Sequence, residues 1–312
     1  VSETINNVET YYYLLKDGRK VARDSVYMVD FTFDCESEEK IIFKDWKKDR
    51  MGFLNKDGRP IIPAKYNYVT PFRNGMAIAL QNARRQCADR TKDTTNCEHL
   101  SWTGGERILI NEKDDVLVDS LENDLYSVDW YSKRINDAFV DTSLFITLQG
   151  RNNTSFSFVD FDKEFKKWFT NYFLPAAGAS RDSLLPFLFD EITFWTDADG
   201  WVALEKNAFL RTYPGALALA TFDTRRHREI SINSQLFNDM IYNKPLYKKY
   251  MNACGQPNSD RFPMYNVLLT TYKKTQQTVA ADTASYEIDF QESFAFLRTE
   301  NGYRLISVTL PK

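Results

Sequence analysis

Histidine is nearly absent from this chain, with two residues in 312. That leaves little material for the commonest general base at neutral pH or for histidine-rich metal sites. No apolar run approaches the roughly 20 residues that cross a bilayer as a helix, because charges or prolines interrupt every candidate, so no transmembrane segment is expected. An excess of one charge is missing too: 40 Lys and Arg stand against 43 Asp and Glu, a formal net charge of −3. A field that weak gathers neither a phosphate backbone nor an anionic lipid surface, and nucleic acid is not an expected partner. Phosphate-cradling, dinucleotide-binding, nucleophile-elbow and zinc-protease motifs are all lacking, and TGGE at 103–106 is a glycine pair in a loop. The expectation is therefore no cofactor and no metal.

What is present is material for packed cores. With 43% hydrophobic and 15% aromatic residues the chain is globular and not disordered. Its 312 residues suit two domains, at roughly 150 residues each. Cys87 and Cys97 bracket the polar loop CADRTKDTTNC, which cannot build a core of its own. A disulfide is the preferred reading, and it requires an oxidising compartment. Two free thiols, or a metal site that includes His99, are the alternatives, although the Cys-x-His spacing after the gap matches no common zinc pattern. The chain starts at Val1 with a polar stretch and no initiator Met, the form left when an export signal has been removed. The expected location is periplasmic or cell-surface.

The N-terminal half repeats itself. YYLLKDGRKVA at 12–22 aligns without a gap on GFLNKDGRPII at 52–62, setting KDGR at Lys16–Arg19 over KDGR at Lys56–Arg59. A fainter copy at 107–118 places Leu109, Ile110 and Asn111 under Phe53, Leu54 and Asn55. Self-similarity of this kind marks units that bury their apolar faces on one another. In the second copy Asp57-Gly58 is expected to form a two-residue hairpin turn, and Pro63, having no N–H, to end the pairing.

The stretch MGFLNKDGRPIIPAKYNYVTPFRNGMAIAL, residues 51–80, resembles the WG-repeat (WG-containing β-repeat) proteins of bacteria. Gly52, Phe53, Gly58, Ile61, Ile62, Pro63, Tyr66, Phe72, Gly75 and Ala77 fall on that family's pattern, while Met51 stands where the family has Trp. The resemblance covers about residues 10 to 155 in degenerate form, and a hairpin at 144–161 is a further decayed copy or a pair of capping strands. It implies a β-rich interaction scaffold and carries no catalytic residues.

After Phe161 the period changes to that of a helix. Phe165, Trp168, Phe169, Tyr172 and Phe173 recur at i, i+3, i+4, i+7 and i+8, with Asp162 at the start. Short helices are expected at 180–190, opened by a Ser cap and limited by Pro186, at 207–213, and in part of 237–252. Strands close the chain, the last two joined at Glu300-Asn301-Gly302. The fold class is α+β in two domains: residues 1–157 a β-hairpin repeat, and residues 158–312 a helix on a curved antiparallel sheet. That order is similar to the nuclear-transport-factor-2-like fold, in which a sheet wraps a long helix to form a cone.

Candidate chemistry is sparse. Asp190 and Glu191, with His227 in RRHRE, are the candidate acids and bases. Trp195 and Trp201, with Asp197 and Asp199, are candidate ligand-binding residues, because a tryptophan wall can raise a nearby carboxyl pKa. Each has a plainer reading: TDADG is turn chemistry and RRHRE a solvated basic turn. Tyr11–Tyr13 and 124–132 are the aromatic clusters expected at the surface. The sequence points to a non-catalytic binding protein of the bacterial envelope whose partner is a protein or an envelope-associated ligand. An enzyme or small-ligand binder with a C-terminal pocket, and a structural assembly part, are the alternatives.

Overall fold

A computed structural model of the chain describes residues 1–29, 32–87, 97, 100–122, 124–217, 228–238, 240–274 and 286–310. It divides into two compact units, residues 1–158 and 159–312.

The first unit is built from antiparallel hairpins, and the repeat is visible in its turns. In the second copy the Asn55 N–H donates to the Arg59 carbonyl (2.9 Å) and the Gly58 N–H to the Asn55 carbonyl (2.9 Å). Leu15, Gly18 and Arg19 repeat this pair of bonds in the first copy, and Asn111, Asp114 and Asp115 repeat it in the third. Residues 18, 58 and 114 all take positive φ, at 85°, 75° and 68°. The turn is thus a three-residue loop with a bulge residue and not the expected two-residue form; of Asp57 and Gly58, only Gly58 is left-handed. Asn55 sets this geometry, since its Oδ1 accepts from the N–H of Asp57 (3.0 Å) and of Arg59 (2.9 Å). Asn111 does the same for Lys113 and Asp115.

Pro63 does not end the pairing. Strand Pro60–Tyr66 runs through it, with register breaks against Arg50–Asn55 on either side of Phe53, the first of them spanning Gly52. A Cβ on residue 52 would lie 2.4 Å from the Ile62 carbonyl oxygen and 2.7 Å from Pro63 backbone, so glycine there is what lets the two backbones approach.

Successive copies are joined by strand pairing. Lys40–Asp45 pairs with Arg50–Asn55, and Met76–Gln81 pairs with Glu106–Asn111, in the same register: Lys40 faces Asn55 as Met76 faces Asn111. A two-residue turn precedes each junction strand, Glu38-Glu39 in one copy and Asn74-Gly75 in the next, all four at positive φ. Two apolar clusters fill the unit, one around Phe53, Phe72, Ile62 and Ile110, the other around Trp130, Phe158, Ile78 and Leu109. Strands Phe145–Gln149 and Ser155–Asp160 lie side by side and close the unit in a three-stranded sheet. Cys87 and Cys97 are bonded (S–S 2.01 Å) at the loop end of a ribbon formed by Arg84–Cys87 and Leu100–Thr103.

The second unit is a helix on a six-stranded sheet. In spatial order the strands are Gly200–Glu205, Leu188–Thr196, Gly302–Val308, Tyr286–Thr299, Met264–Lys274 and Arg228–Gln235. All neighbours are antiparallel except the parallel pair Leu188–Thr196 and Gly302–Val308. The helix runs from Phe161 to Ala179 and is capped by Asp160, whose carboxylate accepts from the N–H of Asp162 and Lys163. Asp162, expected as the first residue, instead accepts from the Tyr265 hydroxyl (2.7 Å). Phe161, Phe165, Phe169 and Phe173 are buried at a spacing of four, wider than the 3.6 residues of an α-turn. A π-helical turn at Phe169–Phe173 absorbs the mismatch and keeps them on one face, which rotates Tyr172 out to solvent. The segment at 180–190 is shorter than expected: Ser180 caps Arg181–Leu184, a 3-10 turn follows through Pro186, and Leu188 already begins a strand.

Candidate functional site

The space between helix and sheet is occupied by the unit's own aromatic side chains. Phe165 stacks on Tyr265 at 4.4 Å and meets Tyr303 edge-on at 4.9 Å, while Phe173 meets Phe296 at 4.9 Å. The buried phenols end on carboxylates: Tyr303 donates to Glu164 (2.8 Å), which also takes both arms of Arg298 (2.9 and 3.3 Å). Burial and these carboxylates push both phenols, Tyr265 and Tyr303, well above the usual tyrosine range, so they act as hydrogen-bond donors and not as bases.

The opposite sheet face is covered by residues 236–238 and 240–262, around Phe189, Tyr242, Tyr247, Tyr250, Leu297 and Ile306. Of the described residues in this stretch only Pro245–Tyr250 are helical, as a 3-10 segment. Two clefts open beside it. The smaller, about 380 Å³, is edged by Trp195, Trp201 and Asp197, with Asn238, Tyr242 and Ser307 among its walls. Trp195 and Trp201 face each other across a hairpin whose turn is Asp197–Asp199, with Gly200 at φ 71°. Their rings meet edge-to-face at 5.6 Å and each is about half exposed, at 53% and 50%. The alternation of the strand puts Phe194 into the core and Trp195 on the other face.

Of the candidate carboxylates, Asp197 edges the cleft of this tryptophan pair, and Asp190, Glu191 and Asp199 do not line it. Asp190 is exposed and bonded to Lys206 (3.0 Å), and it lines the larger cleft. Glu191 pairs with Lys244. Asp199 is an exposed turn residue whose N–H donates to Thr196 Oγ1 (3.0 Å). These are surface ion pairs and turn bonds. His227 and His99 lie outside the described residues. Among the described residues no group of three or more His, Cys, Asp or Glu is placed to hold a metal ion.

One group that sequence reasoning missed is Glu292. Only 6% exposed, it shares the helix-facing side of its strand with Phe294 and Phe296 and stands opposite Leu269. Burial raises its pKa above the ordinary carboxylate range, with Arg228 acting against the rise. Thr271, two residues along the paired strand from Leu269, has a buried hydroxyl with no partner among the described residues. The signal was available: in QESFAF, Glu292 is in phase with two phenylalanines at period two.

The expected aromatic surfaces are only partly exposed. Tyr12 is buried and Tyr13 donates to the Ile42 carbonyl (2.8 Å), so these two of the triplet are packing material. Within 124–132 Trp130 is buried, whereas Tyr126 and Tyr131 are exposed.

Residues 51–84 match the family model of the WG containing repeat, the stretch that holds the best-formed hairpin and its junction strand. A search of curated proteins finds no match for the chain. A WG repeat indicates a repeat-based interaction scaffold. No helix of the described residues is long and apolar enough to cross a membrane.

Proposed function

We propose that the chain is a non-catalytic binding protein of the bacterial envelope: a WG-repeat scaffold followed by a nuclear-transport-factor-2-like unit that holds a ligand or partner. The observation that carries the scaffold reading is the recurrence of one turn and one junction register along the first unit, which uses its polar groups to join copies. The long helix laid on the sheet and the closing meander at Met264–Val308 support the reading of the second unit. The aromatic filling beneath the helix supports binding at surfaces over chemistry in a central cavity. Export accords with the bonded Cys87 and Cys97, since such bonds persist in oxidising compartments.

The test is capture from bacterial envelope extracts with the full chain, with Tyr126→Ser/Tyr131→Ser in the first unit, and with Trp195→Ser/Trp201→Ser in the second. Loss of a captured partner in one double variant assigns the surface. No partner for the full chain would count against the proposal. A second reading, a small-ligand binder or enzyme, is favoured by the buried Glu292. It predicts that Glu292→Gln alters ligand binding without altering capture.

A further inference from the structure

The larger cleft, about 560 Å³, lies in the size range of small-molecule sites. Four chain segments meet there: the 3-10 turn Leu185–Phe187 with the strand that follows it, the start of helix Lys206–Thr212, the 3-10 segment Pro245–Tyr250, and the Thr299–Gly302 hairpin with Arg304. Much of its wall is apolar, from Leu185 and Leu188 to Leu246 and Tyr250. Its charged rim carries Lys206, Lys249 and Arg304 against Asp190 and Glu300.

These charges do not balance. Lys206 is bonded to Asp190 (3.0 Å) and Lys249 to Glu300 (3.2 Å). Among the described residues Arg304 has no carboxylate, and its hydrogen bond is from Nη1 to the Tyr303 carbonyl (2.8 Å). Strand alternation puts Tyr303 and Leu305 in the helix-side core and Arg304 on the cleft side, against Tyr250. Burial lowers the Arg304 pKa, the mark of a cation partly removed from water. A desolvated cation without a counterion is costly, and a guanidinium fork is shaped to take a carboxylate with two parallel bonds.

We infer that this cleft binds a small monocarboxylic acid with an apolar body, its carboxylate on Arg304 and its body against Leu188, Leu246 and Tyr250. One unmatched positive charge calls for a monoanion, and the apolar wall for a hydrocarbon tail. The inference deepens the ligand-binding half of the proposed function and rests on it.

The test is calorimetric titration of the full chain with octanoate, with octanamide as the neutral isostere and inorganic phosphate as the anion without a tail. Octanoate should bind, and Arg304→Met should weaken it at least tenfold, equivalent to about 1.4 kcal/mol, while leaving octanamide unchanged. Arg304→Lys should recover part of the loss. Leu246→Trp, which fills the cleft and keeps the cation, should also remove octanoate binding, so the result does not depend on one variant folding. Octanoate bound equally by all variants would overturn the assignment to this cleft while leaving a ligand-binding unit. Tighter binding of phosphate than of octanoate would overturn the ligand class. No binding by the unaltered chain would overturn the inference outright.

Discussion

Gly58 supports the stacking of the first two copies in two separable ways. Its φ of 75° is strained for any residue with a Cβ, and that Cβ would lie 2.6 to 2.8 Å from the side chain of Val21, on the return strand of the preceding copy. Gly58→Ala therefore carries a backbone cost of about 1–2 kcal/mol and an overpacking cost of about 1–3 kcal/mol. Val21→Ala alone should cost about 1 kcal/mol, since Val21 is only half-buried. In the double variant the contacts with the two Val21 methyls go and the one with the Cβ of residue 21, at 2.7 Å, stays, so the clash is reduced while the backbone cost remains. The cycle should thus show a coupling energy of about 1 kcal/mol or more, with Val21→Ala partly rescuing Gly58→Ala. Gly18→Ala, at φ 85° with nothing within 4 Å, gives the backbone cost by itself. Urea unfolding followed by fluorescence and by far-ultraviolet circular dichroism supplies the free energies and checks that the two probes coincide. Additivity within about 0.3–0.5 kcal/mol would refute the contact between copies.

Three further outcomes are expected. The Glu38 carboxylate accepts from the N–H of Asn74 and of Gly75 (2.9 Å), tying one junction turn to the next, so Glu38→Ala should destabilise the first unit by about 1.5–3 kcal/mol in the same unfolding assay. The side-chain hydrogen bond from Arg85, with Lys44 beside it, holds Asp49 down at about 2. Its unfolded value is about 3.9, so the stability it contributes is complete above pH ~4 and is lost as pH falls toward 2; acid titration of unfolding should show this slope, and Asp49→Asn should flatten it. Opening Cys87–Cys97 by Cys87→Ser/Cys97→Ser should cost about 2.5–3 kcal/mol from restored loop entropy, with hydrogen exchange rising first in strands Arg84–Cys87 and Leu100–Thr103.

The repeat was legible where a side chain must be a particular one. KDGR marks the turns of two copies because position 58 needs positive φ, but Asp114 fills the same position in the third copy and breaks the motif while keeping the bonds. The Glu38-Glu39 turn carries no such signal, since glutamates rarely take positive φ, and it is imposed by strand pairing on either side. Aromatic spacing placed the helix on the sheet, yet a spacing of four could not reveal that a π-turn, and not Tyr172, would settle the register. At the candidate sites, Trp195 and Trp201 could be paired because they sit symmetrically about the TDADG turn. Arg304 could not be singled out, because its lack of a carboxylate depends on which segments converge on it.

Copies of the repeat are joined through their strands into one cooperative unit. Native-state hydrogen exchange measures this at the junction amides of Ile41, Leu54, Ala77 and Ile110, whose N–H groups face the partner copy. Both junctions should open together, with free energies equal within error and close to that of global unfolding of the first unit. Junction amides that exchange well before the hairpin amides inside each copy would contradict it.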